Sequence, residues 1–117
     1  MTQKKKLIAG NWKMNGGLRA NAELLQALRG GMGEPACTVA VAVPAPYLAQ
    51  VQALVAGSAI ALAAQDVSQH ESGAFTGEVS AGMLHDFGVR YALVGHSERR
   101  QYHGETDAVV AAKAQRA

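Results

Sequence analysis

The sequence predicts an α/β protein in which four parallel strands are each followed by a helix. Four short apolar runs alternate with four helical patterns along 117 residues. This repeated order is typical of parallel strands joined by right-handed crossovers. The pattern alone is compatible both with part of a (βα)-barrel and with a doubly wound open sheet. In the barrel case the chain corresponds to about half, because an eight-unit barrel needs roughly 250 residues.

The first strand–helix unit begins with the apolar run Leu7–Gly10. Leucines spaced three and four residues apart follow it, and Leu24, Leu25 and Leu28 predict one apolar face of a helix. We expect the pair Gly30-Gly31 to end that helix, because glycine commonly terminates helices.

The second unit begins with Cys37–Val43, a run made almost entirely of Val and Ala. Such a run is typical of a strand that is covered on both faces. Pro44 and Pro46 end the run, since proline cannot continue a strand ladder. The apolar positions of the helix that follows are Leu48, Val51, Leu54 and Val55. We expect this helix to close at Gly57, ahead of the third apolar run, Ile60–Ala64.

A long polar segment, Gln65–Glu78, follows the third strand. Loops of this length are uncommon inside compact domains and are usually functional or held by a partner. Ser80 is the predicted N-cap of a short helix. The apolar residues of that helix are Met83, Leu84 and Phe87. The fourth strand is predicted at Tyr91–Val94, and two helices are predicted after it, one after Gly95 and one from about Thr106. We expect residues 1–117 to form one partial domain that ends within a helix.

Composition and charge exclude several classes of function. The net charge of +2 is too small for a nucleic-acid footprint, and the cluster Lys4-Lys5-Lys6 is interpreted as the solvated start of a strand. The single cysteine, Cys37, permits no intrachain disulfide, and we expect it to be a small buried hydrophobe. The sequence has neither a membrane-length apolar run nor a signal-peptide pattern. We therefore expect a cytoplasmic protein without a metal, a cofactor, or a nucleic-acid or membrane partner.

Two polar clusters follow the first and fourth strands, at the edge of a parallel sheet where ligands bind. The first is Gly10-Asn11-Trp12-Lys13-Met14-Asn15. Taken alone, Lys13 is most simply a surface lysine and Asn11 a turn residue. A lysine at a strand end can equally attract a phosphate or a developing oxyanion. This cluster by itself leaves both interpretations open.

The second cluster is Gly95-His96-Ser97-Glu98-Arg99-Arg100. It places His96 at a helix N-terminus, where unpaired backbone N–H groups and the helix dipole disfavour positive charge. We expect a neutral imidazole that can donate a hydrogen bond to a carbonyl oxygen. For a lone histidine, a capping or packing role is the alternative. The other histidines, interpreted as loop or helix-surface residues, are His70, His85 and His103.

Together the two clusters resemble the N-terminal signatures of the triosephosphate isomerase family. The matching blocks are Ala9–Asn15 and Val94–Arg100, and the segment Gly73–Ser80 is similar to that family's dimer loop. The blocks are long, and they include the rare residue Trp12. Their order and spacing agree along all 117 residues, which correspond to about half of a typical family member. The resemblance implies half of a (βα)8 TIM barrel.

The resemblance also implies an activity, the interconversion of dihydroxyacetone phosphate and D-glyceraldehyde 3-phosphate by proton transfer through an enediolate. This family is a standard example of a neutral histidine paired with a glutamate base, so that pairing is taken from the family. By the motif match, His96 polarises the substrate carbonyl, Lys13 supplies positive charge and Asn11 helps to bind the substrate. Glu98 is implied as a supporting carboxylate near Lys13, and Ser97 as a residue that positions the base.

The resemblance implies, for the full-length family, a homodimer whose dimer loop enters the second subunit. The residues of this loop are Phe75, Thr76, Gly77 and Glu78.

The sequence departs from the family pattern at three points. Neither the segment with the family's glutamate base nor the later lid and phosphate-binding loops have a counterpart here, and Asp66 stands where many relatives have asparagine. Glu71, Glu78 and Glu105 are not expected to replace the base, because they are assigned to the dimer loop and the last helix. We therefore expect the 117-residue chain to be inactive alone. The alternative is a non-catalytic half-barrel that self-associates and retains weak affinity for phosphate ligands.

Overall fold

The computed structural model describes residues 5–117, so Lys4 of the lysine cluster lies outside the described residues. The four strands are β1 (Leu7–Asn11), β2 (Thr38–Val43), β3 (Ile60–Ala64) and β4 (Tyr91–Ala92). The five α-helices of the described part are α1 (Leu18–Met32), α2 (Leu48–Val55), α3 (Ala81–Asp86), α4 (Ser97–His103) and α5 (Asp107–Arg116). Among residues 5–117, none of these helices is long and apolar enough to cross a membrane.

The order of the strands in the sheet decides between the two predicted architectures. All neighbouring strands are parallel, and they follow one another as β1-β2-β3-β4. A doubly wound sheet reverses its direction of winding at a switch point, whereas a barrel adds each new strand next to the previous one. The sequential order therefore confirms the prediction of a half-barrel.

The two faces of the sheet carry different side chains because strand residues alternate in direction. The larger residues of β2 and β3, such as Val41, Val43 and Leu62, pack in one cluster with Leu25 of α1 and Val51 of α2. The opposite face carries four alanines, which are Ala40, Ala42, Ala61 and Ala63. Both clusters are buried. The helices thus cover one face of the sheet, and small side chains line the other.

The prediction for the end of α1 is wrong. Gly30 and Gly31 lie inside the helix, which continues to Met32, and the cap is Gly33. Gly33 has φ +60° and ψ −135°, a positive-φ conformation that glycine adopts without steric cost because it has no Cβ atom. Leu24 is also not on the buried face, since it is 52% exposed.

Other expectations near the strand ends need smaller corrections. β4 ends at Ala92 instead of Val94, although the Leu93 amide still donates to the Ala64 carbonyl at 2.9 Å. Phe87 caps α3 from outside instead of lying within it. Cys37 precedes β2 and is half-buried. The predicted cap at Ser80 is confirmed, because its side chain accepts a hydrogen bond from the Met83 amide at 3.2 Å.

Candidate active site

The strand register places the candidate residues of the first cluster. Asn11 is paired with Ala42, and Ala42 with Ala63, so these three residues lie on the same face at the carboxyl end of the sheet. Gln65 follows Ala63 by two residues and continues that face. The alanine-lined face therefore ends in two amide side chains, those of Asn11 and Gln65.

Lys13 has an unusual backbone conformation. Its φ is +56°, and no other non-glycine residue between 5 and 117 has a positive φ. This conformation costs a lysine about 1–2 kcal/mol, and such outliers cluster at functional sites, where surrounding structure maintains them. The Lys13 amide donates to the Asn11 side-chain oxygen at 2.9 Å. The turn after β1 is therefore held by the side chain of the strand's last residue.

The ammonium group of Lys13 reaches the second cluster. Its Nζ lies 3.2 Å from Glu98 Oε2 on α4, and both side chains are about half exposed. An exposed ion pair contributes little to stability. Its consequence is geometric, since it places the lysine charge beside the start of α4, where His96 lies.

His96 is the N-cap of α4, and its Nδ1 accepts a hydrogen bond from the Glu98 amide at 3.1 Å. Nδ1 also lies 3.4 Å from Glu98 Oε1, a contact that is an ion pair only if Nδ1 carries a proton. The two contacts require opposite protonation states. The amide hydrogen is fixed by the helix and occupies the Nδ1 lone pair, so we assign the proton of a neutral imidazole to Nε2.

The turn that leads into His96 depends on a glycine. Gly95 has φ +66°, and a Cβ atom built there would lie 2.7 Å from Cγ1 of Val110 on α5. Both the backbone conformation and the close approach of α5 require a residue without a side chain. Gly95 thereby fixes the distance between the His96 turn and α5.

A partly buried ion cluster lies behind α4 and consists of Asp66, Arg99, Glu105 and Lys113. Lys113 donates to both Glu105 and Asp66, and Arg99 contacts Asp66 at 3.2 Å and Glu105 at 2.8 Å. Lys113 and Glu105 have side chains that are only 7% and 5% exposed. The cluster ties the start of the loop after β3 to α4, α5 and their linker. Asp66 supplies its second negative charge.

Burial and pairing act against each other on the pKa values in this cluster. Burial raises the pKa of Glu105, but hydrogen bonds and charges from Lys113 and Arg99 outweigh it and hold this pKa below its ordinary value of 4.5. Burial lowers the pKa of Lys113, but Glu105 and Asp66 outweigh it and hold this pKa above its ordinary value of 10.5. Both side chains are therefore charged at neutral pH.

The loop predicted to enter a second subunit is exposed and internally ordered. The ring of Phe75 stacks on His70 with centroids 3.7 Å apart and an interplanar angle of 4°. The Glu78 amide donates to the Phe75 carbonyl at 3.0 Å, and Glu78 Oε1 accepts from the Ser68 hydroxyl at 2.7 Å. Thr76 and Gly77 lie at the exposed tip. The loop is thus shaped by contacts within this chain.

The three other carboxylates that could be candidates for the base have partners elsewhere. Glu71 pairs with Arg116, Glu78 accepts from Ser68, and Glu105 belongs to the buried cluster. Ser97 is the first residue of α4 and is exposed. The structure thus brings Asn11, Lys13, His96 and Glu98 to one edge of the sheet, and these groups can polarise and bind an anionic carbonyl compound.

Gln65 also belongs to this edge, although its place in the polar segment after β3 predicts only a loop residue. Its side-chain amide donates to the Lys13 carbonyl at 2.8 Å and to the Ala42 carbonyl at 3.1 Å. The sequence could have predicted this position, because Ala61, Ala63 and Gln65 are spaced two residues apart and so lie on one face of a strand. Gln65 is the polar residue that ends this face, at the edge of the sheet where ligands bind.

Comparison with known proteins agrees with this arrangement. The family model described as triosephosphate isomerase matches residues 6–117. A triosephosphate isomerase from Paracidovorax citrulli is 79% identical over 117 residues, and one from Delftia acidovorans is 76% identical over 115 residues. Each match covers 97% of this chain, but 47% and 46% of the respective relative.

A solved structure gives the same picture of the fold. The crystal structure of triosephosphate isomerase from Bartonella henselae superposes with a TM-score of 0.90 at 36% sequence identity. The match covers 97% of this chain and 47% of that one. The chain therefore spans about half the length of the relatives it matches. The experiments below use a completed chain, in which residues 1–117 are fused to the part of the Paracidovorax citrulli relative that has no counterpart in this chain.

We predict that Gly95→Ala destabilises the completed chain much more than Gly104→Ala. Both glycines have φ near +65°, but a Cβ atom at Gly104 would have nothing within 4 Å. Gly104→Ala therefore measures the backbone strain alone, about 1–2 kcal/mol, whereas the contact with Val110 adds about 1–3 kcal/mol. Urea unfolding of the two variants checks this. Equal losses would show that the approach of α5 does not constrain Gly95.

We predict that the stability contributed by the ion cluster is lost in acid. A carboxyl group whose folded pKa is depressed stabilises the fold fully above its unfolded pKa, here about 4.5, and ceases to do so as the pH falls through the folded value. Unfolding free energies of the completed chain and its Glu105→Gln variant should therefore differ at pH 7 and converge as the pH falls below 4.5. A difference that does not change with pH would contradict this. Glu71→Gln, at an exposed pair, is the control and should change little at either pH.

Proposed function

Because this chain belongs to the triosephosphate isomerase family, we propose that it supplies the electrophilic part of an active site that interconverts dihydroxyacetone phosphate and D-glyceraldehyde 3-phosphate. The observation that carries the proposal is the hydrogen bond from the Glu98 amide to His96 Nδ1. It leaves the Nε2 proton of a neutral imidazole available to donate to a substrate oxygen. The reaction is a proton transfer between two carbons through an enediolate.

In this proposal the charges at the sheet edge stabilise the enediolate as it forms. His96 Nε2–H donates to the carbonyl oxygen, on which negative charge develops. Lys13 contributes a fixed positive charge to a substrate that carries a phosphate, and Asn11 helps to bind the substrate. Removing one donor to a developing oxyanion typically costs about 2.7–4 kcal/mol of transition-state stabilisation. These groups act without a cofactor.

The proton acceptor is assigned to a part of the family fold outside residues 1–117. The carboxylates at Glu71, Glu78 and Glu105 each have another partner, and Glu98 contacts the Lys13 ammonium. A general base contributes about 10²–10⁴-fold to a rate. We therefore propose that a polypeptide of residues 1–117 alone has negligible isomerase activity. In this proposal Ser97 helps to position the base once it is present.

We further propose a cytoplasmic homodimer in which the exposed loop at Phe75–Glu78 enters the second subunit. The loop is ordered by its own contacts, including the stack of Phe75 on His70, so little conformational entropy would be lost when it docks. Phe75 is still 39% exposed and can bury that surface against a partner.

A second candidate is a non-catalytic half-barrel that self-associates. It is favoured by strand β1, on which Leu7 and Ile8 are 46% and 56% exposed at the edge of the sheet. Unpaired, apolar edge strands invite pairing with other chains. Light scattering on residues 1–117 tests this candidate: a compact monomer at micromolar concentration would exclude it. Self-association without activity even after completion of the barrel would favour it over the isomerase.

We predict that residues 1–117 gain isomerase activity when the remaining part of the Paracidovorax citrulli relative is added in trans. The two polypeptides together contain both the electrophile and the base, which act on one transition state, so their contributions are strongly non-additive. A coupled assay should detect turnover only with both polypeptides present. Turnover by residues 1–117 alone would contradict the assignment of the base.

Variants of the same mixture test the residues. His96→Gln and Lys13→Met should remove at least about 10²-fold of the restored rate, as expected when a transition-state donor is lost. His85→Gln, at an exposed position of α3, is the matched control and should leave the rate unchanged. Full activity of His96→Gln would show that another group polarises the carbonyl.

A further inference from the structure

The loop between Ser68 and Val79 is closed at its base. The Ser68 amide donates to the Val79 carbonyl at 2.8 Å, so a backbone hydrogen bond joins the two ends of the loop. Ser68 is only 4% exposed, and Val67, the residue before it, is buried in the core cluster. The loop therefore projects from a base whose position is fixed by core packing.

The hydroxyl of Ser68 bonds to both sides of this loop. Its Oγ accepts from the His70 amide at 3.0 Å on the side that leaves the base, and it donates to Glu78 Oε1 at 2.7 Å on the side that returns. The direction of both bonds is determined, because a backbone N–H can only donate and a carboxylate can only accept. The hydroxyl hydrogen thus points at Glu78, and a hydrogen bond to a charged acceptor is stronger than one between neutral groups.

The two residues bonded to this hydroxyl are themselves bonded to the tip of the loop. The His70 ring stacks on Phe75 with centroids 3.7 Å apart. On the other side, the Glu78 amide donates to the Phe75 carbonyl at 3.0 Å. Phe75 is therefore connected to Ser68 along both sides of the loop, through one residue on each side.

The tip depends on such connections because it contains two glycines with positive φ. Gly73 has φ +120° and Gly77 has φ +90°, and glycine loses more conformational freedom on ordering than any other residue. Arg116 of α5 also contacts the loop, at Glu71, but both side chains of this pair are largely exposed, and exposed ion pairs contribute little. Ser68 is buried, so water competes less for its two hydrogen bonds.

We propose that Ser68 is a positioning residue, whose hydroxyl holds the tip at Phe75–Glu78 in the conformation that docks into a second copy of this chain. The inference rests on the proposed homodimer for its effect on association. Its structural content is independent of association: without the hydroxyl, the ends of the loop stay joined at Val79, but the tip samples several conformations. A second copy must then order the tip as it binds, and the entropy lost in that step weakens the dimer.

The test compares Ser68→Ala with Ser58→Ala in the completed chain. Ser58 is the matched control, because its Oγ also accepts from the amide two residues further on, that of Ile60, at 3.2 Å. Its hydroxyl hydrogen goes to the nearby Val55 carbonyl at 2.6 Å, so it connects no two sides of a loop. Each variant thus loses one hydroxyl with one accepted and one donated hydrogen bond.

The first measurement is amide hydrogen exchange of residues 69–78 in chains that also carry Thr76→Lys. A charge at this exposed tip opposes burial against a second copy, so the exchange rates report the loop of the monomer. We expect faster exchange after Ser68→Ala and unchanged exchange after Ser58→Ala. Unchanged exchange in the loop after Ser68→Ala would overturn the proposal.

The second measurement is the Kd of the dimer without Thr76→Lys, from exchange of fluorescently labelled subunits on dilution. Ser68→Ala should raise this Kd at least about 10-fold, whereas Ser58→Ala should change it less than about twofold. An unchanged Kd for Ser68→Ala, or equal increases in the two variants, would overturn the proposal. A completed chain that is monomeric with native Ser68 would instead refute the proposed homodimer, and the exchange rates would still decide whether Ser68 holds the tip.

Discussion

The parallel register of the first three strands is the constraint on which the rest of the site depends. Because Asn11, Ala42 and Ala63 lie opposite one another, the chain leaves all three strands at one edge. The strand register alone therefore brings the side chains at these strand ends close together. Asn11 can then accept a hydrogen bond from the Lys13 amide, and Gln65 can donate one to the Lys13 carbonyl. The helix-facing clusters stabilise the sheet, and the alanine face leaves space at the edge for polar groups.

The ionic contacts form two sets, one exposed at the sheet edge and one largely shielded from solvent behind α4. The pair Lys13–Glu98 is half exposed, so the lysine ammonium remains accessible from solvent. The cluster of Asp66, Arg99, Glu105 and Lys113 lies deeper and connects four segments of the chain. A buried charge left without its partner is costly, so Glu105 and Lys113 stabilise this arrangement only while both keep their partners. The two sets thus differ in exposure, and the charged groups of Lys13 and Glu98 are the more accessible ones.

The sequence could predict the parts that depend on local periodicity and on long motifs. The four apolar runs, the Ser80 cap and the helix after Thr106 follow from spacing and capping chemistry, and the structure contains each of them, although the fourth strand is shorter than predicted. The positions of Gly30 and Gly31 could not be predicted in this way, since packing of α1 outweighs the low helix propensity of glycine. Nothing local distinguishes Gly33 as the glycine that adopts the positive-φ conformation.

Features that join distant segments were beyond sequence reasoning. Asp66 is separated from Lys113 by 47 residues, and Gln65 from Lys13 by 52 residues. Their roles appear only when the strands are aligned. The motifs carrying His96 and Lys13 indicated a shared site through family resemblance. The structure adds the physical link between them, which is the contact of Glu98 with both residues.

The central claim is that the Glu98 amide sets the tautomer of His96, so that the proton lies on Nε2 and faces the substrate. The most direct measurement is ¹⁵N NMR of the His96 imidazole in the completed chain at neutral pH. This account predicts an unprotonated Nδ1 that accepts a hydrogen bond and a protonated Nε2. A proton on Nδ1, in either the other neutral tautomer or the imidazolium, would contradict it.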